Sequence, residues 1–343
     1  MRESVLYKKL LRRQVQCRTC AHYCLLKPGE RGLCGVRENI AGKLYFLVYG
    51  TAVAHAVDPI EKKPLFHFLP RTKTYSVATV GCNFSCKNCQ NYGISQGNKN
   101  PALAKEQIAF LGEKITPREI VQNAQNLNCP SIAYTYTEPT IFLEYALDTM
   151  KLAKKAGLKN IWVSNGFLSP ETRHKVKNCL DAANVDIKSL DDNFYRQICG
   201  GRLQPVLETC RQLKKWGVWL EITTLVIPGL SDNVENLKRI AHFIADHLGP
   251  ETPWHVSQFS PEISWQLHET KKTPVQKIRQ AFEIGKNAGL MYVYTGNIPG
   301  LPTEDTYCPR CKQKNIDRRG FFAHRLDKNG KCRNCGFDLN IIE

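Results

Sequence analysis

The stretch Thr74-Tyr-Ser-Val-Ala-Thr-Val-Gly-Cys82-Asn-Phe-Ser-Cys86-Lys-Asn-Cys89 governs the reading of the rest of the chain. Thr74 to Val80 is a short run of β-branched, aromatic and small residues, as a buried strand requires. Three cysteines follow at once, spaced Cys-x3-Cys-x2-Cys. Thiolates so close together can wrap a compact loop around one cubane iron–sulfur cluster. A cubane has four irons, so three cysteines leave one iron free for another ligand. A zinc knuckle lacking its fourth ligand, or three buried thiols, are the plainer alternatives. Position after a strand favours a site, because strand ends are where α/β folds collect function.

Outward from this stretch the rhythm continues. Further apolar runs lie at 131–137, 160–164, 184–187, 219–226, 254–259 and 291–295. Helical patterns separate them. Thr116-Pro117 with Glu119 reads as an N-cap, a first-turn proline and a first-turn acid. Phe142, Tyr145, Thr149 and Leu152 line one face of a helix that stops near Gly157. Residues 206–216, 234–248 and 274–288 repeat the theme. Strand–helix alternation predicts a parallel sheet. Six or seven units suit a complete or partial α/β barrel, with a doubly wound sheet as the alternative.

The flanks differ. Residues 1–72 hold Cys17-x2-Cys20-x3-Cys24-x9-Cys34 and two strand-like runs, 43–49 and 51–57, joined at Gly50 and expected to form a small hairpin or sheet. Those four cysteines suit zinc or an auxiliary iron–sulfur cluster, and His22 within the loop reads as a neighbour. Residues 73–302 form the strand–helix core. Residues 303–343 hold Cys308-x2-Cys311 and Cys332-x2-Cys335, two pairs separated by twenty residues, with Gly336 placed for a tight knuckle. That spacing predicts a zinc-ribbon-like module. Basic residues there interleave with Phe321 and Phe322, which suits nucleic acid, although so small a module also needs aromatics for a core. The module reads as separable from the core.

The chain has 343 residues and 15 cysteines. Met1 to Gln16 contains no long apolar run, so a cytoplasmic, non-membrane protein is expected, with clustered cysteines binding metal rather than forming disulfides. Cys129, Cys179, Cys199 and Cys210 are scattered, and Cys199 reads as a buried thiol more than a substrate-handling one. The formal charge is +17. Filling all three cysteine sites would leave about +12. Such a surplus favours an acidic partner such as RNA, against the bland reading of a solvated basic surface.

The Cys-x3-Cys-x2-Cys motif resembles the signature of radical S-adenosylmethionine (SAM) enzymes, in the branch of pyruvate formate-lyase activating enzymes. More closely, the chain resembles the radical SAM component of the AmmeMemoRadiSam system. The segments that carry this are Asp58-Pro-Ile-Glu-Lys-Lys-Pro-Leu65, Gln90-Asn91, Tyr134-Thr-Tyr-Thr-Glu-Pro-Thr140 and the terminal cysteine pairs. The resemblance implies a partial (β/α)6 radical SAM barrel. It implies a [4Fe-4S] cluster on Cys82, Cys86 and Cys89, with SAM on the open iron and an electron donor such as flavodoxin or ferredoxin. Reductive cleavage would give a 5′-deoxyadenosyl radical that takes hydrogen from a substrate. RNA or a small molecule are candidate substrates. A glycyl-radical-enzyme activase acting on a protein is the alternative, and a non-enzymatic zinc-binding nucleic-acid module would leave Cys82 to Cys89 unexplained. Residue by residue, Glu138 matches the acceptor for the SAM ammonium, Asn165 the SAM-edge segment, and Asp186 and Lys188 the ribose and carboxylate contacts. Tyr136 and Thr137 stand where the superfamily has two glycines, so a different backbone approach to SAM is expected. Ile227 to Asp232 resembles the adenosine-side loop, and Ser260 stands where activating enzymes have a ribose-contacting histidine.

Overall fold

A computed structural model of the chain describes residues 1–100, 102–298 and 300–343. The apolar runs become strands. Among the described residues, the central sheet contains β1 (Ala54–Pro59), β2 (Lys73–Ala78), β3 (Ser131–Tyr134), β4 (Lys159–Ser164), β5 (Ala182–Asp186), β6 (Trp219–Val226), β7 (Trp254–Gln258) and β8 (Val293–Gly296). They lie side by side in chain order. β1 runs antiparallel to β2, and each later pair is parallel. Helices α1 (Pro117–Asn126), α2 (Leu143–Lys155), α3 (Pro170–Val176), α4 (Leu203–Lys215), α5 (Val234–His247) and α6 (Val275–Asn287) supply the crossovers from β2 to β8. An order that never reverses has no switch point, so the sheet is not doubly wound.

Local chemistry sets the element ends. The Thr116 hydroxyl accepts from the Glu119 amide at 3.2 Å, and the Glu119 carboxylate accepts from the Thr116 amide at 2.6 Å, a reciprocal cap with Pro117 in the first turn. β3 is buried along its whole length, as a parallel strand covered on both faces must be. Trp162 and Trp254 are fully buried in the core between sheet and helices, and each such side chain contributes a few kcal/mol, on the order of 2–3, of hydrophobic stabilisation.

Of the two expected arrangements, the hairpin across Gly50 does not form, and the first run joins a small sheet instead. Lys43–Phe46 pairs with Arg37–Ile40, while β1 covers the edge of β2. An uncovered parallel edge leaves a row of unpaired amides and carbonyls, and β1 satisfies them.

The segment after β1 closes the base of the sheet, where the strands begin. Ile60, Leu65, Phe68 and Leu69 pack on Ala133, Ile161 and Ala182. The buried Glu221 carboxylate on β6 accepts from the amides of Phe66 (3.0 Å) and His67 (2.8 Å), from Trp219 Nε1 (3.0 Å) and from His255 Nε2 (2.7 Å). Burial opposes its charge, but His255 and His67 outweigh it and the carboxyl sits below its ordinary pKa.

Residues 303–343 dock under this plug and are not detached from the core. The strands Thr306–Tyr307, Lys314–Arg319 and Phe322–Arg325 form a small antiparallel sheet. Buried Arg318 donates to the Phe66 carbonyl at 2.7 Å and to Thr306 Oγ1 at 2.7 Å. Leu69 N donates to Ile342 O, and Ile342 N donates to His67 O, both at 2.8 Å. Separating the segment from the core would leave these bonds unmade in buried surroundings. No helix among the described residues is long and apolar enough to cross a membrane.

Candidate active site

The Cys82–Cys89 loop leaves the C-terminal end of β2. Its backbone is held from the far side by the Ile198–Gly201 segment. Ser85 N donates to Cys199 O at 2.8 Å and Lys87 N to Ile198 O at 2.9 Å. Gly201 is required there, since a Cβ would lie 2.2 Å from the buried Phe84 ring. Phe84 N points at Cys82 Sγ (3.4 Å), and Cys89 Sγ lies 3.4 Å from Ser95 Oγ. Cys199 is fully buried, and its thiol hydrogen-bonds Cys86. That bond first, and burial second, push the Cys86 thiol up. Burial does the same to Cys82 and Cys89. Metal binding reverses such shifts because a coordinating thiol is deprotonated. Three thiols in one loop, with amide and thiol donors already aimed at their sulfurs, fit a cluster whose charge those donors would tune.

The ends of β3, β4 and β5 bring the expected ligand-binding residues to the same place. Glu138 is 2% exposed. Its Oε1 accepts from Thr140 N (3.1 Å), Thr140 Oγ1 (2.5 Å) and Ser164 Oγ (2.8 Å), and its Oε2 from Asn165 N (2.8 Å). Burial raises its pKa, against the pull of those donors. Asn165 Nδ2 donates to Asn83 Oδ1 at 2.7 Å and lies 4.0 Å from Cys82 Sγ. Glu138, Asn165 and the first cysteine therefore form one contiguous wall. Lys188 Nζ donates to Asp186 Oδ2 at 2.7 Å. Burial opposes the ammonium charge, but Asp186 and the thiols of Cys86 and Cys199 more than compensate and hold its pKa well above the ordinary value. Ser260 follows β7 at the start of a short turn.

Tyr136 adopts φ 64°, the left-handed region that a glycine takes without strain. The strain is held from several sides. Asn91 Nδ2 donates to the Tyr136 carbonyl at 2.9 Å, and the Tyr136 hydroxyl donates to Asp58. Asp58 also accepts from Lys62 (2.8 Å), Lys63 (2.7 Å) and Ser76 (2.8 Å). Buried Lys63 lies 4.4 Å over the Tyr136 ring, and burial lowers its pKa to about 8. The Asp58–Leu65 motif thus links the plug to the site. Sequence reading quoted this motif without a role. The signal it offered was an acid followed by two lysines at the end of a strand. Cys199 as a clasp on the cluster loop, and Asn83 as the partner of Asn165, were also missed.

The two terminal cysteine groups sit at opposite ends of the sheet. Cys17, Cys20, Cys24 and Cys34 line one pocket near the C-terminal strand ends. Ala21 N donates to Phe167 O (3.3 Å) just beyond β4, and His22 Nε2 donates to Asn83 O (2.8 Å). His22 lines the same pocket, with its Nε2 taken by the Asn83 carbonyl. Cys308, Cys311, Cys332 and Cys335 lie under the base, with all four sulfurs within 4.8 Å of one another. Cys308 and Cys335 are 3.6 Å apart, and Cys311 and Cys332 are 3.5 Å apart. Lys312 (φ 61°) and Gly336 (φ 70°) close the two knuckles. Phe321 and Phe322 are 52% and 82% exposed, so they are not the module's core. Of the basic residues, Arg318, Lys314 and Arg325 are already tied to internal partners.

The Radical SAM superfamily model matches residues 76–244, from β2 into α5. A Methanocaldococcus jannaschii protein, named as uncharacterized, is 43% identical over 345 residues, covering 100% of both chains. Pyruvate formate-lyase 1-activating enzyme of Escherichia coli is 22% identical over 168 residues, 48% of this chain and 66% of that one. The crystal structure of Streptococcus suis SuiB bound to precursor peptide SuiA superposes with a TM-score of 0.51 and 12% identity, over 71% of this chain and 52% of that chain, a likeness of fold alone.

Proposed function

Because this chain belongs to the radical SAM superfamily, in the part of it similar to pyruvate formate-lyase activating enzymes, it is an enzyme of SAM-dependent radical chemistry, and we propose that its centre is the mouth of a partial (β/α)6 barrel where Cys82, Cys86 and Cys89 hold a [4Fe-4S] cluster. The observation that carries this reading is the contiguous wall Cys82–Asn83–Asn165–Glu138 at the strand ends. When bound, the cluster supplies the electron that cleaves SAM to a 5′-deoxyadenosyl radical.

The chain's own residues do the rest. Glu138 presents a buried carboxylate to the SAM ammonium, a charge-assisted pair. Lys188, held charged by Asp186, meets the SAM carboxylate, and the partly exposed Asp186 meets the ribose. Asn165 fixes the edge of the ligand against the loop. Phe84, Phe167 and Tyr195 wall the loop with rings and keep water from its inner side. The ribbon cysteines hold zinc at the base, remote from the mouth. That placement supports a structural role over capture of substrate for the radical, and a small molecule or protein segment entering at the mouth over RNA held by the ribbon. The electron comes from a low-potential one-electron donor of the flavodoxin or ferredoxin class.

Anaerobic reconstitution with iron and sulfide, then SAM and dithionite, tests this. The parent chain releases 5′-deoxyadenosine, and Cys86→Ala loses it to background along with most of the iron of that site. A Cys86→Ala protein that made 5′-deoxyadenosine at the parent rate would refute the assignment.

A further inference from the structure

The thiol pocket behind the Cys82 loop differs in kind from the ribbon. We propose that Cys17, Cys20, Cys24 and Cys34 hold a second iron–sulfur cluster, packed directly against the loop that carries Cys82, and that this site does not take zinc.

All four thiols line one pocket and none is in a disulfide. An ideal Cβ on Gly32 would lie 3.8 Å from Cys24 Sγ and 3.9 Å from Cys34 Sγ, so these sulfurs face shared space. The spacing of the set decides its chemistry. Zinc with Zn–S bonds near 2.3 Å puts its thiolates about 3.8 Å apart. The ribbon sulfurs meet that spacing. Among the described residues, the ribbon group is the only set of three or more His, Cys, Asp or Glu side chains with all ligand atoms within 4.8 Å of one another. The N-terminal thiols do not gather into such a group. A cubane seats each thiolate on a different iron and requires a wider set.

Arg37 is the independent sign of a ligand. It is 1% exposed and lines the same pocket. Its terminal nitrogens are taken by Glu144 (2.6 and 3.0 Å) and Ser4 (2.6 Å). Its Nε–H is buried with no partner. A buried, unpaired N–H is costly, and a sulfide or thiolate in the pocket would accept from it. The guanidinium would also offset the net negative charge of a four-thiolate cluster.

The pocket touches the central loop through backbone. A Cβ on Gly81 would lie 2.6 Å from Cys34 O, so only glycine before Cys82 permits this approach. His22, between Cys20 and Cys24, reaches the Asn83 carbonyl at 2.8 Å. Two clusters seated so close would interact magnetically when both are reduced.

The test uses the full chain, reconstituted anaerobically. Metal analysis should give about eight iron and about one zinc per chain. About four iron with two zinc, or about four iron with one zinc, would overturn the proposal. On reduction with dithionite, electron paramagnetic resonance should show signals broadened by spin–spin coupling. A single uncoupled signal from the parent chain would also overturn it. Cys20→Ser should lose about half the iron and the coupling, keeping a simple signal that shifts on adding SAM. Cys20→Ser with unchanged iron would count against the site. Cys86→Ala removes iron from the other centre, so failure here and failure of the central assignment give different results. Should Cys20→Ser fold poorly, the metal count and coupling of the parent chain still decide.

Discussion

Under the base of the sheet, four cysteines crowd their sulfurs within 4.8 Å of one another on a small antiparallel module. At the mouth, two other cysteine groups lie beside a carboxylate wall and a charged lysine. The base is lined by a chain of hydrogen bonds. Arg318 donates to Thr306, whose hydroxyl lies 2.8 Å from the Tyr294 hydroxyl, which in turn lies 2.6 Å from His67 Nε2, while His67 Nδ1 lies 3.0 Å from the Leu339 carbonyl. A carbonyl only accepts, so Nδ1 carries a proton, and because burial lowers the pKa of the ring to about 4, His67 is neutral near pH 7 and Nε2 accepts from the Tyr294 hydroxyl. The mouth, by contrast, keeps polar groups with spare capacity, such as Glu138 Oε2 and Asp186. The base closes its side chains on one another around the ribbon, and the mouth leaves polar groups free to receive a ligand. The experiments that follow strain that contrast, the largest effect first.

Removing the base metal should cost most. Structural zinc contributes on the order of 10 kcal/mol to the modules that bind it. Cys332→Ala should lose zinc, free the 303–343 segment from Phe66 and His67, and lower the thermal midpoint by at least about 10 °C. Iron held at the mouth should remain, read by parallel zinc and iron analysis. A variant that lost zinc but kept its midpoint would show that the base is not held by the ribbon.

Acid should attack the base next. Burial lowers the His67 pKa to about 4 from an ordinary 6.5, despite the nearby Glu221. The unfolded chain therefore takes up the proton before the folded one. Stability is full above the ordinary value and falls as the pH drops from about 6.5 toward 4, by roughly 3 kcal/mol. The lowered pKa of Glu221 adds a further loss at the acid end of that window. Denaturation midpoints at pH 7.5 and 5 should show this. His67→Gln should be less stable at pH 7.5 but with a flatter pH slope. An equally steep slope in His67→Gln would move the acid sensitivity elsewhere.

At the mouth, substitutions should alter binding more than stability. Lys188→Ala should weaken SAM affinity about ten- to hundred-fold, the worth of one charged hydrogen bond, about 1.5–3 kcal/mol. Glu138→Gln should do the same. Iron content should not change in either. Calorimetric titration with SAM checks this, and unchanged affinity in both variants would remove these residues from the ligand site.

Much of this contrast was legible in the sequence, because it rests on local signals. The seven runs became β2 to β8, since each is apolar enough to be buried on both faces. Thr116-Pro-x-Glu119 capped its helix through contacts three residues apart. The cysteine spacings marked all three sulfur groups. What sequence reading missed depends on distant backbone. Arg318 was counted among basic residues available to a partner, but its target is the Phe66 carbonyl, and a carbonyl oxygen has no signature in a sequence. For the same reason the 43–49 and 51–57 runs were read as one small hairpin or sheet, when the open edge of β2 drew Ala54–Pro59 into the central sheet. Tyr136 looked like a departure from glycine, yet it takes a glycine's backbone angle, because Asp58, Lys63 and Asn91 converge on it from two segments.

The smallest effect concerns the exposed aromatics of the base. A module of some forty residues was expected to need Phe321 and Phe322 inside. Both lie instead at the outer hairpin, 52% and 82% exposed, while Cys308, Cys332 and Leu339 form the buried cluster. Replacing both with serine removes little buried area, so stability should change by no more than about 0.5 kcal/mol. Release of 5′-deoxyadenosine should be unaffected, because the hairpin is at the end of the sheet opposite Cys82. The same double variant examines the base as a nucleic-acid surface. Stacking on an aromatic is worth about 1–3 kcal/mol per base, so a stacking role would weaken binding to a single-stranded RNA at least about five-fold. Arg318, Lys314 and Arg325 are held by internal partners, so only the other six Lys and Arg of the segment could release counterions, and a shallower salt dependence than its full basic content would give is expected for the parent chain. A steep salt slope, together with a large loss of RNA affinity in the double serine variant, would show that the base also recruits a partner and would end its description as a purely structural foundation.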